Sequence, residues 1–325
     1  MKNAMVIAAA ILLLSACGPR YIEPGPSSQA AILEHNNFIM NDGIRLPLRQ
    51  WGPKLFPRFV VLALHGFNDY SNAFEKPAAY WAKFGVTTYA YDQRGFGGAP
   101  FAGRWHGAPS LTADFRRIAH IIRLEHPDVP LFLLGESMGG AVTIAASAQH
   151  SLPLHDGIIL IAPAIWGRAA MPAWQEGALW ILTRFAPGLR VSGGGFGRKP
   201  SDNLSMLRQL STDKKIIKRT RIDAVNGLVD LMDMALSGAK KLKGPALILY
   251  GKQEDIIPGK ARLLLKKRLL NRASNIFIKE YQSGYHMLLR DLNAEVVWND
   301  IFDWMKNPLH SPSTGMPARD LKHSN

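Results

Sequence analysis

The residues best suited to chemistry are Gly135-Glu136-Ser137-Met138-Gly139, set between an apolar run at 131–134 and a small-residue stretch from Gly140. A serine hydroxyl is a poor nucleophile until a neighbouring base removes its proton. Small residues on either side permit a very tight strand-to-helix turn, which lifts the Ser137 hydroxyl clear of a sheet and sets it at a helix N-terminus. The first N–H groups of that helix have no intrahelical partner, and the dipole there favours negative charge. The base must come from ten histidines. His286, in GYHMLLRD, lies after the last predicted strand and before the last predicted helix, where a base belongs in the chain order serine, acid, histidine. His120, His126, His150 and His155 fall on helices or helix ends and read as surface residues. The acid must come from LYGKQEDIIPG at 249–259, where Glu254 and Asp255 stand side by side. Two acids at a strand tip are ordinarily solvated charges. Beside a serine and a histidine, one of them would orient the imidazole and stabilise its cationic form. Chain position alone leaves both open.

These side chains need a frame. Apolar, β-branched runs at 58–66, 86–92, 130–137, 157–164, 245–251 and 275–281 end in glycine or turn residues and read as buried parallel strands. Helical patterns lie between them. One opens with Ser110 as an N-cap and puts Phe115, Ile118, Ile121 and Ile122 on one face; others cover 138–150 and 286–307. Strand–helix alternation gives an α/β fold class, a mostly parallel central sheet covered by helices on both faces. Residues 36–51, with Pro47, fit edge strands. About 80 residues separate the strands ending near Ala164 and starting near Pro245, too long for a crossover, so 165–244 reads as an inserted helical lid. Within it Trp174, Ala178, Ile181 and Phe185 recur at helical spacing, either to pack on the core or to offer a greasy wall to acyl chains. The core is then 36–164 and 245–306.

Over about residues 36–306 the chain resembles the α/β-hydrolase superfamily. HGF (65–67), YDQRGFGG (91–98), GESMGG (135–140) and GYHMLL (284–289) are similar to the monoacylglycerol lipase/lysophospholipase group of serine hydrolases. The resemblance implies an inserted lid that sets the substrate, no cofactor, and ester hydrolysis through an acyl-enzyme. It makes Ser137 the nucleophile, His286 the base, and the backbone N–H groups of Phe67 and Met138 the oxyanion donors. It leaves His65 as a brace for that loop and Asp92 as structural. The family pattern resembles G-x-x-D-x-I-[IV]-P at the acid. Gly251 and Pro258 keep its spacing, which places the acid on Glu254 in departure from the usual aspartate. A one-residue bulge would deliver Asp255 instead; the spacing favours Glu254. The expected activity is that of a serine carboxylic-ester hydrolase on lipid-like esters. The alternatives are a peptidase of the same fold, similar to proline iminopeptidases, and a non-catalytic lipoprotein binding module. Relatives with an aspartate nucleophile are disfavoured by Ser137.

The chain has 325 residues, 47% of them apolar, and a formal net charge of +14, a globular composition with a basic surface suited to acidic partners. Lys2, an apolar run over 5–14 and small residues have the shape of a secretory signal, too short to span a bilayer comfortably. Leu14-Ser15-Ala16-Cys17 resembles a bacterial lipobox, which implies a signal peptide at 1–16 and lipidation of Cys17, the single cysteine. The expected location is then a membrane-anchored lipoprotein, on the outer membrane and facing the periplasm. Residues 17–35, rich in Pro, Gly and Ser, read as a tether, and 307–325 as a disordered tail. GGGFGRKPS lacks the spacing of a phosphate-binding loop and follows no strand. The basic runs at 214–221 and 260–272 read as solvated faces, with no nucleic-acid motif. No paired histidine motif or cysteine cluster argues for a metal.

Overall fold

The computed structural model describes residues 18–149, 152–192, 197–242, 244–269, 275–310 and 316–317. The signal segment, Cys17, Gly193–Gly195 and most of the tail lie outside these residues. An antiparallel meander of β1 (Ile32–Glu34), β2 (Asn37–Ile39) and β3 (Arg45–Trp51) is followed by β4 (Phe59–Leu64), β5 (Val86–Tyr91), β6 (Leu131–Glu136) and β7 (Gly157–Ile161). A short pair, β8 (Arg190–Val191) and β9 (Thr220–Arg221), precedes β10 (Ala246–Gly251), β11 (Ile276–Tyr281) and β12 (Met316–Pro317). The helices are α1 (Glu75–Ala82), α2 (Ala108–Glu125), α3 (Met138–Gln149), α4 (Ala173–Phe185), α5 (Leu204–Thr212), α6 (Ile222–Gly238), α7 (Gly259–Leu269) and α8 (Ala294–Lys306).

Among the described residues the main sheet runs in the order β1-β2-β3-β5-β4-β6-β7-β10-β11-β12. Strands β5, β4, β6, β7, β10 and β11 are mutually parallel. Every residue of β4, β5, β6, β7 and β10 is buried, as expected for strands covered on both faces. One core cluster joins one sheet face to α2, α3, α6 and α7; a second joins the other face to Trp81 of α1 and to α8.

Several expectations change. Helix α2 begins at Ala108, not at Ser110: Gly107 sits at φ +80 before it and Pro109 occupies its first turn, where a missing N–H costs nothing. The helical pattern from His286 does not become helix until Ala294. Residues 285–293 are held in turns because the Asp291 carboxylate accepts both the Tyr285 N–H (2.7 Å) and the Ser201 hydroxyl (2.6 Å). The stretch read as a tether is seated on the body. The Ile22 N–H donates to the Trp105 carbonyl at 2.8 Å, Tyr21 hydrogen-bonds Asp230 and Asn226 on α6, and Ser28 and Gln29 both donate to the Asn41 carbonyl. Burial pushes the Tyr21 phenol well up, so it remains a neutral hydrogen-bonding group. In the tail, Met316–Pro317 pairs antiparallel with β11.

The segment read as lid divides in two. Helix α6 buries Val229, Leu231, Met232 and Ala235 in the main core, where it packs chiefly against α3. Helix α4 does the opposite: Trp174, Trp180, Ile181 and Phe185 are 70, 55, 52 and 64% exposed. Its apolar stripe faces outward, not into the core, while Leu179 packs inward.

Candidate active site

Ser137 follows the last residue of β6 and precedes the first of α3. Its φ is +51, in the left-handed region that a side chain adopts only when its surroundings compel it. The surroundings do. Its N–H donates to the Ile161 carbonyl (2.9 Å), and its carbonyl accepts from Ala164 (2.9 Å) and Ala141 (3.1 Å). The flanking glycines are required by close approach. A Cβ on Gly135 would lie 2.5 Å from the Gly139 carbonyl oxygen, and one on Gly139 would lie 2.2 Å from that of Leu64.

The hydroxyl faces the predicted base. His286 Nε2 lies 3.0 Å from Ser137 Oγ, and His286 Nδ1 lies 2.6 Å from Glu254 Oε2. An ionised carboxylate can only accept, so Nδ1–H donates to Glu254 and leaves Nε2 to accept from the serine hydroxyl. The other Glu254 oxygen accepts the N–H groups of Ile256 (2.7 Å) and Ile257 (3.0 Å). Burial pushes the Glu254 carboxyl up. The His286 hydrogen bond and charge, with the two backbone donors, outweigh burial and hold it below the ordinary carboxylate range. Glu254 is therefore the acid that meets the histidine. Asp255 is exposed and turned away, accepting from the Lys199 N–H at 3.0 Å. No bulge intervenes, because β10 ends at Gly251 and the chain turns immediately: Glu254 N donates to the Gly251 carbonyl and Gln253 N to that of Gly284.

That crossing is tight. A Cβ on Gly251 would lie 2.0 Å from the Gly284 carbonyl oxygen, backbone that carries the histidine loop. Gly251→Ala is expected to destabilise the protein by about 3 kcal/mol, through overpacking. It should also lower turnover at least tenfold, by parting Glu254 from His286. Urea melts and ester kinetics on the folded fraction check this.

The segment Gly66–Asn68 after β4 lies against the nucleophile. A Cβ on Gly66 would sit 3.4 Å from Ser137 Cβ, so the Phe67 backbone runs beside the serine. His65 is fully buried: its Nδ1–H donates to the Gly66 carbonyl (2.8 Å) and its Nε2 accepts the Gln93 N–H (3.0 Å). Both nitrogens are used and burial lowers its pKa, so it braces the loop as a neutral ring. The Phe67 ring packs edge-on against Phe96 and Trp105. Asp92 accepts from Ser71 N (2.9 Å), Ser71 Oγ (2.5 Å) and Gly98 N (2.7 Å), so both of its oxygens are taken up by the loops it joins.

The inserted segment is stitched to both loops. The Ile217 N–H donates to the Asn68 carbonyl (3.0 Å) and Asn68 Nδ2 to Thr220 Oγ1 (2.6 Å). On the histidine side Met287 N donates to the Pro200 carbonyl (2.8 Å) and Leu292 N to Asp202 Oδ1 (2.8 Å). Sequence reasoning missed one group of residues altogether: Glu136, Asp69 and Arg290 form a buried ionic cluster below the serine. The available signal was Glu136 itself, a charge inside an otherwise apolar buried strand, which requires a partner. Among the described residues no cluster of three His, Cys, Asp or Glu could hold a metal ion. In the second basic run, Arg262 and Lys266 reach toward Glu280 at 3.9 and 3.8 Å.

A family model described as "Serine aminopeptidase, S33" matches residues 56–293. The chain is similar to a monoacylglycerol lipase of Mycolicibacterium smegmatis, 25% identical over 289 residues that span 85% of this chain and 98% of that protein. It is 25% identical over 300 residues to a monoglyceride lipase of Homo sapiens, with 86 and 93% covered. The crystal structure of a Paleococcus ferrophilus monoacylglycerol lipase superposes with a TM-score of 0.67 at 23% identity, over 81% of this chain and 99% of that one. This last likeness shows the α/β-hydrolase fold.

Proposed function

This chain belongs to the family described as serine aminopeptidase, S33, and from that membership and the site's geometry we propose that it is a serine carboxylic-ester hydrolase acting on lipid-like esters of the monoacylglycerol or lysophospholipid type. The observation that carries the reading is the unbroken relay from Ser137 Oγ to His286 to Glu254, at 3.0 and 2.6 Å. In it, Ser137 attacks the ester carbonyl while His286 Nε2 takes its proton. Glu254 holds the ring in the needed tautomer and stabilises the imidazolium. The backbone N–H groups of Phe67 and Met138 receive the oxyanion. His286 then gives its proton to the leaving alcohol, and water repeats the sequence on the acyl-enzyme to release the acid.

The names of the two curated relatives support the substrate class. So does the outward apolar stripe of α4, with Arg184 beside Trp180, which suits a lipid surface. We place the protein on a membrane through acylation of Cys17, on the outer membrane facing the periplasm. Cys17→Ser should then move it from the membrane to the soluble fraction with its turnover of a water-soluble ester unchanged, whereas retention in the membrane would count against the anchor.

The test of the activity is a panel of p-nitrophenyl esters, monoacylglycerols and lysophospholipids beside aminoacyl amides. Lipid esters should exceed aminoacyl amides in kcat/KM by at least about 100-fold. The family description favours one second reading, an aminopeptidase, and the reverse order in the panel would establish it.

A further inference from the structure

One side chain joins three of the loops that the proposed reaction needs. Arg290 lies four residues beyond His286 and is buried. Its Nη1 is 2.7 Å from Asp69 Oδ2, and its Nη2 is 3.4 Å from Glu136 Oε2. Asp69 closes the turn that carries Phe67, its N–H donating to the Gly66 carbonyl. Glu136 is the residue immediately before Ser137. The arginine's own backbone is pinned: its N–H donates to the Met287 carbonyl and its carbonyl accepts from Asn203 Nδ2. Both carboxylates are buried, at 6 and 2% exposure.

We propose that Arg290 is a positioning residue of this site. Its guanidinium fixes the spacing of the oxyanion loop, the nucleophile strand and the histidine loop, and it offsets a buried carboxylate that would otherwise oppose the oxyanion. The inference rests on the ester-hydrolase reading. The geometric half follows from the planar fork, whose donors engage two carboxylates on separate loops in one fixed geometry, where the donors of an ammonium rotate freely. The electrostatic half follows from position. A tetrahedral intermediate carries its negative charge beside Ser137, one residue from Glu136, in surroundings of low dielectric. The groups that act on the Glu136 carboxyl are Arg290, Asp69 and His286; burial outweighs the Arg290 charge and holds it above the ordinary carboxylate range, so Arg290 is what favours its ionised form. The same carboxylate favours the imidazolium of His286 and disfavours the oxyanion, and Arg290 moderates both.

The experiment compares Arg290→Lys, Arg290→Gln, Glu136→Gln and the double variant Arg290→Gln/Glu136→Gln with the wild type. It uses p-nitrophenyl butyrate, with active sites counted by end-point fluorophosphonate labelling and folding followed by thermal melts. Arg290→Gln should lower kcat per labelled site by about 100-fold with KM within about threefold, as an interaction that matters in the transition state does. Arg290→Lys should fall between it and the wild type. The double variant should recover about tenfold over Arg290→Gln, because no buried carboxylate is then left without its cation beside the nucleophile. Glu136→Gln alone should move the acid limb of the kcat/KM profile to lower pH. The proposal is overturned if folded variants keep wild-type kcat per labelled site and wild-type pH profile and lose only melting temperature. It is also overturned if the double variant is no better than Arg290→Gln. Should Arg290→Gln not fold, Arg290→Lys and Glu136→Gln decide by the same two readouts. A wild type that neither labels nor hydrolyses esters would instead remove the underlying reading.

Discussion

Ser137→Ala should lower kcat/KM on a carboxylic ester by about 10⁴-fold or more and abolish fluorophosphonate labelling, with the fold intact. Subtracting one oxygen removes the atom that attacks, and what persists is only the contribution of the oxyanion donors and of binding. Stability should change by less than about 1 kcal/mol, because Oγ is half-buried and makes one hydrogen bond, to His286. Backbone strain provides an internal control. Alanine keeps the Cβ at φ +51, whereas glycine carries no penalty there. Ser137→Gly should therefore be as inactive as Ser137→Ala but more stable by about 1 kcal/mol. Ester kinetics and paired thermal melts measure both. Turnover of Ser137→Ala within tenfold of wild type would end the serine mechanism.

Glu254→Gln should cost about 10⁴-fold in kcat, and Asp255→Asn less than about threefold. The amide is nearly isosteric, so the loss isolates charge and tautomer: a glutamine can offer a donor to Nδ1 and stabilise the wrong ring form. Asp255 gives up only an exposed contact to the Lys199 N–H. Measuring both substitutions side by side answers which of two adjacent acids works. Equal losses, or a larger one at Asp255, would reassign the acid. There is a stability signature as well. The folded protein holds the Glu254 carboxyl below its unfolded value. Its ionised form therefore contributes stability above the ordinary carboxylate pKa, and that contribution fades as pH falls toward the lowered value. Wild type and Glu254→Gln should converge in stability at acid pH and separate toward neutrality.

What could be read in advance followed from rules that act locally. Buried parallel strands are apolar on both faces, so residues 59–64, 131–136 and 246–251 announce themselves. The Gly135 and Gly139 spacing encodes a turn that nothing larger could make. The choice between Glu254 and Asp255 was harder, because it depends on where β10 stops, and that is set by a distant glycine, Gly284. Most of the failures share that cause. The stretch after His286 has helical periodicity, yet Asp291 spends its carboxylate on Tyr285 and Ser201 and holds the chain in turns. Ser110 is a good cap by type, but Gly107 and Pro109 start the helix before it. Residues 20–29 look like a spacer because their partners, Trp105, Asp230 and Asn41, are far away in sequence. The Glu136–Arg290–Asp69 cluster joins three segments that no periodicity links.

The seating of Tyr21 on α6 also sets a length scale. A free, flexible chain from Cys17 to the first strand would have a root-mean-square span of about 22 Å. With Tyr21 fastened, the step from Cys17 to the body is at most about 14 Å. An enzyme acylated at Cys17 and held that closely would meet its substrate in two dimensions. Its rate should follow the surface density of ester lipid in the membrane, rising with mole fraction in a vesicle and unaffected by dilution of the suspension.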